Sequence, residues 1–193
     1  MQGQEKYISD HQEDTYRLAK ELQDLVGKCI AGDRTAQKEI YDKYSLVFYG
    51  VIKRYIFNNE SAAEVLNDAF YKILTRMHLY SGSGPFEGWM RAIVVHSITD
   101  HLRKYIKHEQ TIKSGIEEYD VGVEEDLNGK LNWKELLAII HELPDVQRAV
   151  FNLYVFEGYQ HKEIGALLGL SENNSRWHLN AARKKLKQKI SLM

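Results

Sequence analysis

The residues with the most to offer chemically are crowded near one end of the sequence. Asn173, Asn174, Arg176, Trp177 and His178 fall within six positions, and Arg183, Lys184, Lys185, Lys187 and Lys189 follow. Amide and guanidinium groups make directional hydrogen bonds to base edges, and an indole can lie on a thymine methyl. Lysines and arginines neutralise phosphates. The chemistry on offer is recognition of nucleic acid, with no bond made or broken. The same residues would also suit a solvated basic helix that ends a bundle, so their setting has to decide.

That setting is the stretch Gln160 to Ile190. Ile164, Leu167 and Leu168 form an apolar stripe at i, i+3, i+4, which predicts a short helix. Gly169 can take the left-handed conformation that ends it. Leu170 plugs the corner, and Ser171 can cap a second, longer helix through its hydroxyl. On that helix Ser175, Leu179, Ala182 and Leu186 share an inner side, while Asn173, Trp177, Asn180 and Lys184 point away and Arg176 and His178 flank them. Cap, glycine corner and basic tail together predict a helix-turn-helix whose second helix enters a DNA major groove.

Two other groups need positioning. From Phe86 to about Lys107, Ile93, Val94, Ile98, Leu102 and Ile106 predict a buried helix face, and Trp89, His96, Asp100, Arg103 and Lys107 lie along another. A tryptophan beside cations suits stacking on an unpaired base. Packing beneath the loop Tyr80–Pro85 would suit it too, and both readings stay open. On a helix from Glu60 to about His78, Ala62, Val65, Leu66, Ala69, Phe70, Ile73 and Met77 face inward. Glu64, Asp68, Tyr71, Lys72 and Thr75 make its polar side. By spacing alone, Glu64, Asn67 and Asp68 equally suit an ordinary wet surface.

Catalytic constellations do not emerge. Eight histidines and one cysteine give no zinc-site spacing. No phosphate-cradling glycine loop or nucleophile elbow occurs. The expectation is a chain without metal, cofactor or enzymatic activity. Net charge is −1, yet the charges are segregated: the end of the chain and the run Arg103, Lys104, Lys107 are basic, and the stretch between them is acidic. A lone cysteine fits a reducing cytoplasm, and no signal-peptide pattern or membrane-spanning run is seen.

Two prolines in 193 residues and no alternating β-branched runs predict an all-α protein. Residues 1–15 read as a frayed polar leader. A first helix would bury Leu18, Leu22, Leu25, Val26, Cys29 and Ile30, and a second Ile40, Tyr41, Tyr44, Val47, Phe48, Val51, Ile52 and Tyr55. A four-helix domain then spans 16–107. Residues 108–130, crowded with Glu and Asp, read as a linker unable to order itself alone. A second four-helix domain, 131–193, starts with Trp133, Leu136, Leu137 and Ile140 and breaks at Leu143-Pro144-Asp145 before a helix burying Val146, Val150, Leu153 and Tyr154.

Three segments, in order, resemble one family. FEGWMRAIVVHSITDHLRK (Phe86 to Lys104) is similar to the promoter-melting helix of sigma-70 factors. The segment Leu143 to Leu186 resembles their C-terminal DNA-binding region, and AAEVLNDAFYKIL (Ala62 to Leu74) their polymerase-docking helix. The short two-domain layout resembles the extracytoplasmic-function group. The resemblance implies a transcription initiation factor in the bacterial cytoplasm, with core RNA polymerase and promoter DNA as partners and an anti-sigma factor as a further one. It places Glu64, Asn67, Asp68, Tyr71 and Lys72 on the polymerase. It places Tyr80, Trp89, Arg91, His96, Asp100, Arg103 and Lys104 on the −10 element, with a flipped base taken by the loop Tyr80–Pro85. Ser171, Asn173, Asn174, Arg176, Trp177, His178, Arg183 and Lys184 fall to the −35 element. The family commonly has Asn at His96, a hydrophobic residue at Ser175 and a small one at Trp177. A stand-alone helix-turn-helix regulator, needing no polymerase, is the alternative; it would need neither the Glu64–Asp68 surface nor the Trp89 helix.

Overall fold

A computed structural model describes residues 20–112 and 133–191. The leader, Leu18 and most of the acidic linker lie outside the described residues. Every regular element within them is helical.

The helix boundaries follow local chemistry. Helix α1 (20–30) stops at Gly32, whose φ is +86°, a conformation that costs glycine little. Asp33 then caps α2 (Arg34–Lys53), its carboxylate accepting from Thr35 N at 2.8 Å and Ala36 N at 3.1 Å. Asn58 does the same for α3 (Asn59–Arg76) through Ser61 N at 2.8 Å. A 3₁₀ turn, Met77–Leu79, leads to the loop before α4 (Phe86–Ile112). Helix α4 runs past the expected end near Lys107, because no glycine or proline intervenes before Gly115.

Ile40, Phe48, Ile52, Ile73, Met77, Met90 and Ile98 interlock as the first bundle's core. Three expected core residues are instead exposed: Ile30 (50%), Tyr41 (36%) and Val47 (47%). Periodicity gives a side chain's direction on its helix, but not whether another helix reaches that level. Ile30 ends α1. Tyr41 keeps an edge of packing, its ring 4.7 Å from that of Phe70.

The second bundle comprises α5 (Trp133–His141), α6 (Asp145–Val155), α7 (His161–Leu168) and α8 (Glu172–Ile190). Pro144 stands just before α6 with φ −53°, where its missing N–H is not needed. Ile140, Val150, Leu153, Ile164, Leu168, Leu179, Ala182 and Leu186 are buried.

The two bundles pack directly on each other: α4 lies against α7 and α6. The seam is polar and crossed by several hydrogen bonds, although Arg54 Nε, the Tyr55 hydroxyl and Asn152 Oδ1 are buried there without a hydrogen-bond partner among the described residues. At the carboxyl end of α2, three successive carbonyls lack helical partners, and the second bundle supplies them. His141 Nε2 donates to Lys53 O (2.7 Å), Asn152 Nδ2 to Arg54 O (2.9 Å) and Arg148 Nε to Tyr55 O (3.0 Å). The Arg148 charge also suits the negative end of a helix.

Candidate nucleic-acid interface

The helix-turn-helix is built as its residues demand. Gly169 has φ +72° and ends α7. Ser171 Oγ accepts from Asn174 N at 3.1 Å and opens α8. The turn depends on a second glycine that spacing did not single out. A Cβ on Gly165 would stand 2.7 Å from the Leu170 carbonyl oxygen, so only glycine lets the corner close onto α7.

Ser175, Leu179, Ala182 and Leu186 are all buried, which turns the opposite side of α8 to solvent. Asn173, Asn174, Arg176, Trp177 and Lys184 are exposed there. Trp177 stands edge-on to the His178 ring, centroids 4.8 Å apart. Arg176 is tethered by Glu172, one turn back, at 2.6 Å. The Arg183 guanidinium lies 5.6 Å from the Tyr154 ring centre.

Ser175 stands where the resemblance implies a hydrophobic residue. Its hydroxyl meets His161 Nδ1 at 3.0 Å, both groups buried, and His161 stacks on Tyr154 at 4.7 Å. The small polar residue is thus answered by a polar neighbour on α7. Burial, with the nearby Arg176 charge, pushes the His161 pKa below its ordinary 6.5.

On α3, Glu64, Asn67, Asp68 and Tyr71 are exposed, Tyr71 by 69%. Lys72 leans back toward α4, where it pairs with Asp68 (2.7 Å), approaches Asp100 (3.5 Å) and donates to Ser97 Oγ (3.1 Å). Burial pushes the Asp68 carboxyl up, but the hydrogen bond and charge of Lys72 outweigh it and hold the pKa below its usual value.

On α4 the expected residues divide into three settings. His96, Asp100, Arg103 and Lys104 are exposed, with His96 Nδ1 donating to Ala92 O. Trp89 is half-buried, 5.7 Å from Phe86 in a near-parallel stack and 5.7 Å from Tyr80. The indole packs on Phe86 and Tyr80 while keeping part of its surface exposed. Arg91 and Arg103 reach across the seam. Arg103 donates from Nε (3.1 Å) and Nη2 (2.6 Å) to Leu167 O. Arg91 grips Glu157 through Nε (2.6 Å) and Nη2 (3.2 Å).

Glu157 is the residue sequence reasoning missed. Its side chain is 2% exposed, and Arg54 Nη2 binds it from the other side at 2.7 Å. A carboxylate this buried persists only when paired. The hydrogen bond from Arg91 raises that guanidinium's pKa further. Burial, and then the Glu157 charge, lift the Tyr55 hydroxyl well above its ordinary value. No local motif marks Glu157, because its partners lie 66 and 103 residues away.

With this geometry in place, comparison with known proteins is informative. The pattern of Sigma-70 region 2 matches residues 40–107, and that of Sigma-70, region 4 matches residues 133–186. The chain belongs to the sigma-70 family of transcription initiation factors. Within that family it is an extracytoplasmic-function sigma factor, a regulator of transcription. It is 24% identical to the ECF RNA polymerase sigma-E factor of Haemophilus influenzae, over 90% of this chain and 98% of the relative. It is 26% identical to the ECF RNA polymerase sigma factor SigM of Bacillus subtilis, over 77% of this chain and 91% of the relative. Among solved structures it is similar to the sigma factor RpoE of Bartonella quintana, crystallised with the anti-sigma factor NepR. That likeness has a TM-score of 0.47 at 15% identity, over 78% of this chain and 94% of that one. Among the described residues, no helix is long and apolar enough to cross a membrane.

Proposed function

We propose that the chain docks on core RNA polymerase and directs it to promoters with an upstream −35 and a downstream −10 element. Glu64, Asn67, Asp68 and Tyr71 form the docking face. Helix α8 enters the major groove at −35, where Asn173, Asn174, Arg176 and Trp177 meet base edges. Helix α4, with the loop Tyr80–Pro85, holds the opened −10 strand, using His96, Arg103 and Lys104. Unstacking a base costs a few kcal/mol, which pocket contacts must offset. The chain supplies binding energy alone, and the polymerase does the chemistry. A cytoplasmic site of action and an anti-sigma partner belong to the same reading, on family membership.

The observation that carries this reading is the two-sidedness of α8. Its inner side is sealed, while its outer side presents Asn173, Arg176 and Trp177 to solvent. The test mixes the purified chain with sigma-free core polymerase and a promoter library and sequences the transcripts. Start sites sharing a bipartite upstream motif are the expected result. Binding to duplex DNA without polymerase, and no transcripts, would point to a stand-alone regulator instead.

A further inference from the structure

Ser175 stands between Asn174 and Arg176, two residues given to the upstream duplex, and turns inward where they turn outward. We infer that His161, which meets Ser175 from α7, is a positioning residue for upstream duplex reading and holds α8 in its reading pose only while the ring is uncharged. This rests on the function proposed above.

The contact is placed where it can set a pose. Leu179, Ala182 and Leu186 hold the inner side of α8 by apolar packing, and Ser175 adds a polar contact at the reading end. Its hydroxyl meets His161 Nδ1 at 3.0 Å, with Ser175 fully buried and His161 8% exposed. The imidazole lies nearly flat on Tyr154 of α6, at 21° with centroids 4.7 Å apart, and Arg183 of α8 approaches the same tyrosine ring. One ring thus ties α7 to both α6 and α8. Apolar surfaces can slide past each other, but a hydrogen bond weakens steeply when its distance and angle change. Side chains that read a ligand need placement to within roughly 0.5 Å. The Ser175 contact fixes the rotation of α8 at the turn that carries Asn173, Asn174, Arg176 and Trp177.

The surroundings penalise a charge on this ring. A hydroxyl can meet either protonation state, so the hydrogen bond itself does not. Burial does, and Arg176 and Arg183 of α8 add to it, while Glu172 opposes them. That glutamate is already engaged by Arg176 at 2.6 Å. From α6 the facing group is Tyr154. Helix α4 meets α7 at its other end, through Arg103 and Leu167 O. On α7 itself Glu163 is turned to Gln160 N at 2.7 Å, and His161 is the first residue of the helix, where the dipole is positive. The folded pKa is therefore lowered, and the ring stays neutral until pH falls through that lowered value. A ring charged there is driven toward water and withdraws Nδ1 from Ser175. Generic electrostatics has the opposite sign. Acid adds charge to histidines and tightens phosphate binding whatever the sequence, whereas a lost pose weakens discrimination between sequences.

The experiment uses the full chain assembled with sigma-free core polymerase. A promoter recovered from the library is compared, by competition binding, with the same duplex scrambled over its upstream element, from about pH 7.5 to about pH 5.5, the range in which histidine titrates. The ratio of the two affinities cancels phosphate contacts and the polymerase's own response to pH. In the wild type, folded throughout by circular dichroism, that ratio is expected to fall roughly fivefold or more, the low end of ordinary coupling between sites. His161→Phe keeps a ring on Tyr154 but can neither bond to Ser175 nor gain a charge; its ratio should be low and the same at every pH. Ser175→Ala should lower the neutral-pH ratio from the other side of the contact. His161→Asn, whose amide stands near the place of Nδ1, should recover much of the neutral-pH ratio and keep it in acid. A wild-type ratio that does not change with pH would overturn the inference and leave the function standing, and so would a slope equally steep in His161→Phe and His161→Asn. Variants that melt earlier with an unchanged ratio would make His161 a structural residue only, which also overturns it. Recovery of no bipartite motif at any pH would sink the function, and the inference with it.

Discussion

Helices α4 and α8 carry similar cargo and meet different fates. Both pair a sealed apolar side with arginine, lysine, histidine and tryptophan on the other. The polar side of α8 faces solvent, with Asn173, Arg176 and Trp177 exposed and Arg176 and Trp177 held, among the described residues, only by neighbours on the same helix. Helix α4 surrenders two arginines to the second bundle, and its tryptophan to Phe86 and Tyr80. In the roles proposed above, a recognition helix for intact duplex can stay open, because its inner side alone binds it to the core. A helix proposed to hold an opened strand presents donors that attract any carboxylate or carbonyl brought to them.

The largest effect that would test this contrast lies in the seam. Arg148 also donates to the carbonyls of His141 (3.2 Å) and Leu143 (2.8 Å) and pairs with Asp145. Arg148→Met should lower stability by about 3 kcal/mol or more, because several buried acceptors lose a charged donor. Urea unfolding followed separately in each bundle should show both shifting. If only the second bundle moved, the seam would contribute little and the contrast would weaken.

Next comes the corner beneath α8. Gly165→Ala puts a methyl 2.7 Å from a backbone oxygen, and the expected loss is about 1–3 kcal/mol, read by thermal unfolding. A stabilised variant would mean that the turn can shift and that the pose of α8 is less strictly held. Of similar size, Arg176→Ala should cost about 1–3 kcal/mol of discrimination at one upstream base, measured by competition among duplexes. A uniform loss over all sequences would reassign Arg176 to phosphate and make α8 more like α4.

Smallest is a pH effect confined to the second bundle. The depressed His161 pKa means that the folded state binds fewer protons there than the unfolded chain does. The stability this contributes is present above about pH 6.5 and is lost as pH falls through the folded pKa. His161→Gln should flatten that part of the acid-side decline, as measured by denaturant midpoints between neutral and acidic pH. An unchanged slope would show that another group governs it.

Much of the second bundle was legible in sequence because its determinants are local. The Ser171 cap, the left-handed Gly169 and the buried series Ser175, Leu179, Ala182, Leu186 all act within a few turns, and spacing located each of them. Gly165 escaped because what it avoids is a carbonyl beyond the helix end. Val47 looked like core because periodicity says nothing about what stands opposite. Glu157 looked like an ordinary turn residue, since glutamate before glycine at a helix end carries no signal of burial.

The amino-acid order alone determined that this chain is all-α, where most helices start, which side of α8 is sealed, and which family it joins. The first three follow from backbone propensity and hydrophobic spacing, which act over a few residues; the family follows from the resemblance of three motifs in order. Tertiary structure decided that Arg91 and Arg103 meet Glu157 and Leu167, and that three carbonyls of α2 are answered from the far bundle. Those pairings join residues far apart in the chain. Charge and hydrogen-bonding capacity can be read at each position, but a partner is chosen only when folding brings two positions together and excludes the water between them.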